Sequence, residues 1–440
     1  MLKTRCFFSG SGLLLGLLCT ASLAAQDAPV EETATIDSGS TAWMLVSCAL
    51  VLLMTPGLAL FYGGMVRSKN VLGTMMHSIF CMGLVTVQWV VIGYSLCFSG
   101  DIGGFVGNAD YFLLSGIKHT DVFPGTGIPH YVFMCFHMMF AIITPALISG
   151  AFAERIKFSA FAVFTLLWCT IVYDPICHWV WGGGLLSGDG WLGQTVGVGA
   201  LDFAGGTVVH ISSGVSALVF ALLLGARRGY PQMKMTPNNL VYTVLGAGIL
   251  WFGWFGFNGG SGLGSDALAG LAFTVTHICA ATAAVVWAII ERLHRGKASI
   301  LGVATGLVAG LVCITPAAGF VEPNAALVMG IVVALVCYLF IAVIKGKLGY
   351  DDSLDAFGVH GVGGTVGALL TGVFCTVGAE ASGAQFLAQL IATVVTMVYA
   401  AVLTVVLYVI VDKTIGIRCE ADDEEVGLDL SQHGEVGHSL

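Results

Sequence analysis

Two histidines sit where hydrocarbon is expected. His210 lies in the middle of "ALDFAGGTVVHISSGVSAL", and His360 lies in "DAFGVHGVGGTVGAL" further along the chain. Ionisable side chains in such stretches are costly and mark a pathway more often than a packing accident. A metal site would need three or four protein ligands. Asp202 and Asp355 are the only further donors nearby. Asp202 stands where the carboxylate of a helix N-cap belongs, bonded to free backbone N–H groups. Asp355 precedes its own apolar segment and falls on the opposite side of the histidines, so no shared metal is expected. Two imidazoles bonded to each other are the better arrangement. In the neutral state one ring donates and the other accepts, leaving one N–H and one lone pair for a passing guest. His77, His137, His178 and His277 read as helix-packing residues.

The elements that hold these rings must lie in a membrane. Only 10% of the 440 residues are charged, 57% are hydrophobic, and the mean hydropathy is +0.91. A soluble domain carries about a quarter charged residues. In lipid, only helices or closed barrels satisfy every backbone group, and the long apolar runs choose helices. The 60 glycines fit close packing between such helices. The 13 cysteines are scattered without a CxxC pair, so neither a disulfide framework nor a metal cluster is expected. The net charge of −9 is concentrated in the tail "CEADDEEVGLDL" and gives no ground for a nucleic-acid partner.

The fold expected is an all-α integral membrane protein with eleven transmembrane helices. They centre near Leu52, Val85, Ile142, Leu167, Ser216, Leu250, Ala280, Val308, Val333, Gly367 and Val398. Residues 1–24 read as a cleaved signal peptide: Lys3 and Arg5, an apolar run, then Ser22 and Ala24 at the small-residue positions. Residues 25–412 form the transmembrane domain and 413–440 a cytoplasmic tail. Basic residues such as Arg67, Lys69, Arg155, Lys157, Arg227, Arg228, Arg292, Arg295, Lys345 and Arg418 fall in alternate connections, while the opposite ones hold Lys118 alone. That asymmetry puts the N-terminus outside and the C-terminus in the cytoplasm.

The fifth and tenth segments echo each other. "HISSGVSAL" and "HGVGGTVGAL" each place Gly four residues after His, with an Asp upstream, and "LFYGG" echoes "FGFNGG" in segments one and six. Five spans per copy is an odd number, so the second copy must be inverted: a 5+5 repeat plus one long C-terminal helix. Such repeats place the working site near the midplane, at their interface.

On these motifs the chain resembles the ammonium transporter (Amt/Mep) family, closest to the bacterial ammonia channels. The resemblance runs from "ALFYGG" and "RSKNVL" through "GAFAERIKFSA", "HWVWGGGLL", "LDFAGGTVVHI", "GWFGFNGGS" and "DAFGVHGVGG" to "GLDLSQHGE". It implies a homotrimer in the bacterial inner membrane with one pore per subunit, no cofactor, no enzymatic reaction, and ammonium or ammonia as cargo, with methylammonium as analogue. It implies an outer ammonium site of Trp181, Phe140 and Ser261, with Phe136 one helical turn earlier. It implies a gate of Phe140 and Phe257 and a twin-histidine pore of His210 and His360. In support stand Asp202, which holds the outer site together without touching the ion, Asp355, the pore-lining Trp254 and a vestibule residue, Tyr173. Where the family often has Gln, this chain has His137: either an extra titratable group in the vestibule or an outward-packed ring. Trp181 favours the Amt branch over the related Rh proteins. The run Glu420–Glu425 alone reads as a solvated tail, but "GLDLSQHGE" resembles the family's structured C-terminal region, which implies a PII-type signal protein as partner. An ammonium sensor reporting through that tail is the alternative function, and an intramembrane metalloenzyme a third.

Overall fold

The computed structural model describes residues 35–437. The signal peptide expected over residues 1–24 lies outside the described residues. Among the described residues, ten helices are long and apolar enough to cross a membrane: α1 (Ser38–Met65), α2 (Ser68–Phe98), α3 (His130–Phe152), α4 (Phe158–Trp181), α5 (Gly206–Leu224), α6 (Leu240–Gly262), α7 (Ala267–Arg295), and, after one shorter helix, α9 (Pro323–Leu348), α10 (Phe357–Phe374) and α11 (Gly383–Ile415). The chain is therefore a multi-pass membrane protein. The shorter helix, α8 (Ile300–Ile314), holds the segment expected around Val308 but has only 15 residues. That is below the roughly 20 a full crossing needs.

Local chemistry starts these helices. Asp37 accepts from Ser40 N–H at 2.6 Å, Asp266 from Ala269 N–H at 3.0 Å, Ser299 from Gly302 N–H at 3.0 Å and Ser382 from Gln385 N–H at 3.0 Å. Each satisfies an N–H that a helix start leaves without a partner. α3 is enclosed by its neighbours. α11 instead turns Val394, Val398, Val402 and Val406 outward, as a lipid-facing helix does.

The early end of α8 has a structural use. Beyond it the chain turns at Thr315–Pro316, and the freed carbonyls accept from the start of the α5 segment: Ala204 N–H to Thr315 at 3.2 Å and Phe203 N–H to Pro316 at 3.1 Å. Non-helical backbone at membrane depth is tolerated where it is buried in protein, and Thr315 is fully buried.

α5 and α10 open in the same way. Each begins with a π-helical turn that contains its histidine, Gly206–Ile211 and Phe357–Gly361, then continues as 13 residues of α-helix. The two helices cross on bare backbone. A Cβ on Gly214 would lie 2.0 Å from Gly361 N, and one on Gly364 would lie 3.0 Å from Gly206 O and from His210 Cβ. The glycine four residues after each histidine is what lets the two segments touch.

At the end opposite α3's start, the last apolar helix runs to Ile415, three residues past the expected boundary at 412, and two short helices follow, α12 (Ala421–Val426) and α13 (Leu428–His433). This tail is not a loose acidic run. Asp429 accepts from Gly73 N–H at 2.8 Å, Asn70 accepts from Leu428 N–H at 2.8 Å, and Gln432 accepts from Phe158 N–H at 2.6 Å. Glu424, buried, accepts from Arg228 N–H at 2.7 Å and Arg418 at 2.8 Å. Beneath it Arg227 binds Asp351 through two side-chain bonds at 2.8 and 2.9 Å. Burial pushes the Asp351 carboxyl up, but Arg227 and Arg155 outweigh it and hold it below its ordinary value. Asp429→Ala is expected to release α13. The lost bond is charge-assisted and worth about 1.5–3 kcal/mol, so cleavage of the tail by added protease is expected to speed up roughly tenfold or more. Unchanged protection of the purified protein would contradict that docking.

Candidate functional site

The site runs along the inside of the bundle from a vestibule between α2, α3, α4 and α6. Phe136 and Phe140 lie one helical turn apart on α3, so both rings face the same way. Phe140 stacks on Phe257 of α6 with centroids 4.2 Å apart and planes at 29°, and Phe136 meets Phe140 edge-on at 4.9 Å. Trp181, at the last residue of α4, meets Phe140 perpendicular at 5.9 Å. Ser261, in the final turn of α6, donates its O–H to Phe257 O at 2.8 Å, leaving its lone pairs for other donors. Trp181, Phe136, Ser261, Phe203 and His137 line a vestibule cavity of about 300 Å³. The structure thus brings Trp181, Phe136, Phe140 and Ser261 together, with the Phe140–Phe257 stack as its floor.

Asp202 braces that mouth from behind. Its two carboxylate oxygens accept four backbone N–H bonds: Gly205 at 2.9 Å, Gly206 at 2.6 Å, Thr207 at 2.8 Å and Val208 at 3.0 Å. Its backbone carbonyl accepts the Trp181 indole N–H at 2.8 Å. Burial pushes the carboxyl up to about 6, while the four backbone donors pull it down. With every oxygen spent on backbone, the acid positions Trp181 and the start of α5.

Below the Phe stack lies an apolar lumen lined by Leu58, Ile143, Leu147, Leu250, Val308 and Trp254 together with both histidines. Only about 10 Å³ is open there to the centre of a water-sized sphere, about the room for one water molecule. His210 Nδ1 and His360 Nδ1 are 3.2 Å apart, and the rings are nearly parallel at 21°. His210 stacks on Trp254 at 5.5 Å, and Trp254 is fixed by its N–H bond to Thr315 Oγ1 at 2.9 Å. A bond between two Nδ1 atoms requires opposite tautomers. One Nε2 then carries a hydrogen and the other a lone pair. His210 Nε2 is buried and has no protein partner. The pair can therefore offer one donor and one acceptor to a small neutral guest.

Two expected positions fall elsewhere. Asp355 does not answer Asp202. It sits at a left-handed backbone angle, φ 61°, and its carboxylate takes Lys345 Nζ at 2.6 Å. The acid that starts the α10 segment is Asp352, which accepts from Ala356 N–H at 3.1 Å and Phe357 N–H at 2.8 Å. The signal was spacing: Asp202 and Asp352 each stand eight residues before their histidine, Asp355 only five. Tyr173 does not reach the vestibule. It is fully buried at the end of the π-helical turn Cys169–Tyr173, facing Trp89 of α2 at 6.4 Å. That turn takes an extra residue per hydrogen bond and rotates the following face away from its α-helical register. His137 settles on the vestibule side, and Thr315, which anchors Trp254, was not anticipated.

The architecture and site define a multi-pass membrane protein with an aromatic mouth and a narrow, histidine-lined lumen. The Ammonium Transporter Family profile matches residues 42–438. An ammonium transporter of Aquifex aeolicus is 45% identical over 438 residues, covering 98% of each chain. One of Bacillus subtilis is 46% identical over 91% of this chain and 98% of its own. The crystal structure of Candida albicans Mep2 superposes with a TM-score of 0.81 at 32% identity over 88% of each chain. A sensor Amt protein superposes with a TM-score of 0.83 at 28% identity, over 90% of this chain and 98% of that one. The chain belongs to the Ammonium Transporter Family.

Proposed function

We propose that this protein takes up ammonium by conducting it as ammonia. Ammonium gathers at Trp181, Phe140, Phe136 and Ser261. Aromatic faces attract any cation, with about 0.5–2 kcal/mol each, so they do not separate ammonium from potassium. Ser261 favours the ion that carries N–H groups. The lumen beyond Phe140 and Phe257 offers no compensating charge, and burying a bare cation there costs at least several kcal/mol. Ammonium has an exit from that penalty that potassium lacks: it gives up a proton to water of the vestibule at the stack, and that proton crosses separately. Ammonia then passes His210 and His360, donating to one Nε2 and accepting from the other.

The observation that carries this reading is the Nδ1–Nδ1 contact of 3.2 Å inside an apolar lumen, which gives a neutral hydrogen-bonding guest a partner and a bare cation none. Its layout fits two inverted five-span halves plus α11, assembled as a homotrimer in a bacterial inner membrane. The vestibule then faces outward and the docked tail lies in the cytoplasm, open to a PII-type signal protein. A reporting role is the second reading, favoured by the likeness to a sensor Amt protein. Current recordings from purified protein on a solid-supported membrane test the first. Pulses of ammonium and methylammonium are expected to give a response and potassium none. Potassium responses as large as those of ammonium would sink the proposal, and silence to all three together with no methylammonium uptake would favour reporting over transport.

A further inference from the structure

His137 is an imidazole with its hydrogen bonds unspent, set in the wall where ammonium would be held. It lies on α3 between Phe136 and Phe140, is 92% buried by its 8% exposure, and lines the vestibule beside Trp181 and Ser261. Its ring is 5.4 Å from Trp181, 6.0 Å from Phe140, 4.6 Å from Phe98 and 4.4 Å from Phe133. Nδ1 is enclosed and has no hydrogen-bond partner. The other donors of this wall are occupied: the Trp181 N–H goes to Asp202 O and the Ser261 O–H to Phe257 O. A buried polar side chain without a partner is destabilising by about 1–3 kcal/mol, so a ring kept this way calls for a ligand.

We infer that His137 is a further specificity-determining residue of the vestibule, whose ring lone pair accepts an N–H of ammonium. The inference rests on the ammonium-binding reading above. A neutral imidazole has one nitrogen lone pair. Ammonium can donate to it along a defined direction, and potassium has no hydrogen to donate.

The neighbourhood offers that lone pair few other partners. The rings packed on His137 come from α2 (Phe98), α3 (Phe133, Phe136, Phe140) and α4 (Trp181), and none of them titrates. His130, two turns further out on α3, is engaged with the Tyr94 hydroxyl. Asp202, behind Trp181, is the other titratable group of the mouth, and it is common to the wild type and the variants below.

The test is the half-saturation concentration for ammonium-driven currents in vesicles at neutral pH, with and without added potassium, for wild type, His137→Gln and His137→Leu. His137→Gln keeps an acceptor, so it should bind about as well as wild type and discriminate against potassium as well. His137→Leu should bind ammonium about tenfold more weakly, the worth of one charge-assisted hydrogen bond, and lose ground to potassium. Should His137→Leu match wild type in both respects, the inference is overturned. If His137→Leu does not fold, His137→Phe, a ring of similar size that accepts no such bond, takes its place. Wild-type protein that passes potassium would instead overturn the deprotonation reading, and the two failures are distinguishable in the same vesicles.

Discussion

His210→Ala is expected to fold and yet to lose at least about tenfold in ammonium-selective flux. The ring supplies half of the lumen's hydrogen bonding: its Nδ1 meets His360 and its Nε2 is the free, buried partner. Ammonia in transit would lose one bond and find His360 without its mate. Two neutral hydrogen bonds of about 1 kcal/mol each correspond to roughly tenfold or more in rate at fixed geometry. Removal of the ring also opens space against Trp254, on which it stacks. Water admitted there lowers the cost of a bare cation, so potassium exclusion should weaken as flux falls. Folding should survive, because α5 and α10 touch through glycine backbone and not through the imidazoles. The measurement is methylammonium uptake and potassium leak in reconstituted vesicles, with size-exclusion behaviour as the folding control. Normal, ammonium-selective uptake by this variant would refute the twin-histidine role.

Asp202→Ala is expected to abolish transport through structure and not through lost charge at the ion. Four backbone N–H groups would lose their acceptor at once. Each unsatisfied buried donor costs about 1–3 kcal/mol, and even with partial hydration the start of α5 should come apart. Trp181 would go with it, since its N–H is anchored on the Asp202 carbonyl. Lower thermal stability in detergent is expected together with lost uptake. Asp202→Glu, one methylene longer, keeps the charge but cannot seat both oxygens equally, and should retain part of both. Wild-type uptake by Asp202→Ala would show that the carboxylate does not hold the mouth together.

Much of this was legible in the amino-acid order because membrane helices write their constraints locally. The histidine pair, the glycine four residues after each, and the carboxylate at Asp202 all follow from what a buried polar group needs. The failures are equally physical. Asp355 was matched to Asp202 as the acid upstream of its histidine, but a cap is defined by how the backbone turns, and Asp352 is the residue from which two N–H groups are in reach. Tyr173 was carried over from the resemblance alone, and the π-helical turn at Cys169–Tyr173 sets which way its ring faces. The shortness of α8 could not be read from composition, because its last turn gives way to a bend whose carbonyls serve a distant segment, Phe203–Ala204. Which way His137 faces depended on the packing of Phe98 and Phe133 around it, information held in another helix.

The glycine crossing of α5 and α10 has one more implication. Where peptide planes abut, no torsion of a side chain can change the spacing of the two helices, and a closer approach would collide at once. The centre of the conduit therefore behaves as a fixed bore. Any valve has to sit at its two mouths, where phenyl rings can swing on one side and the folded tail can lift on the other.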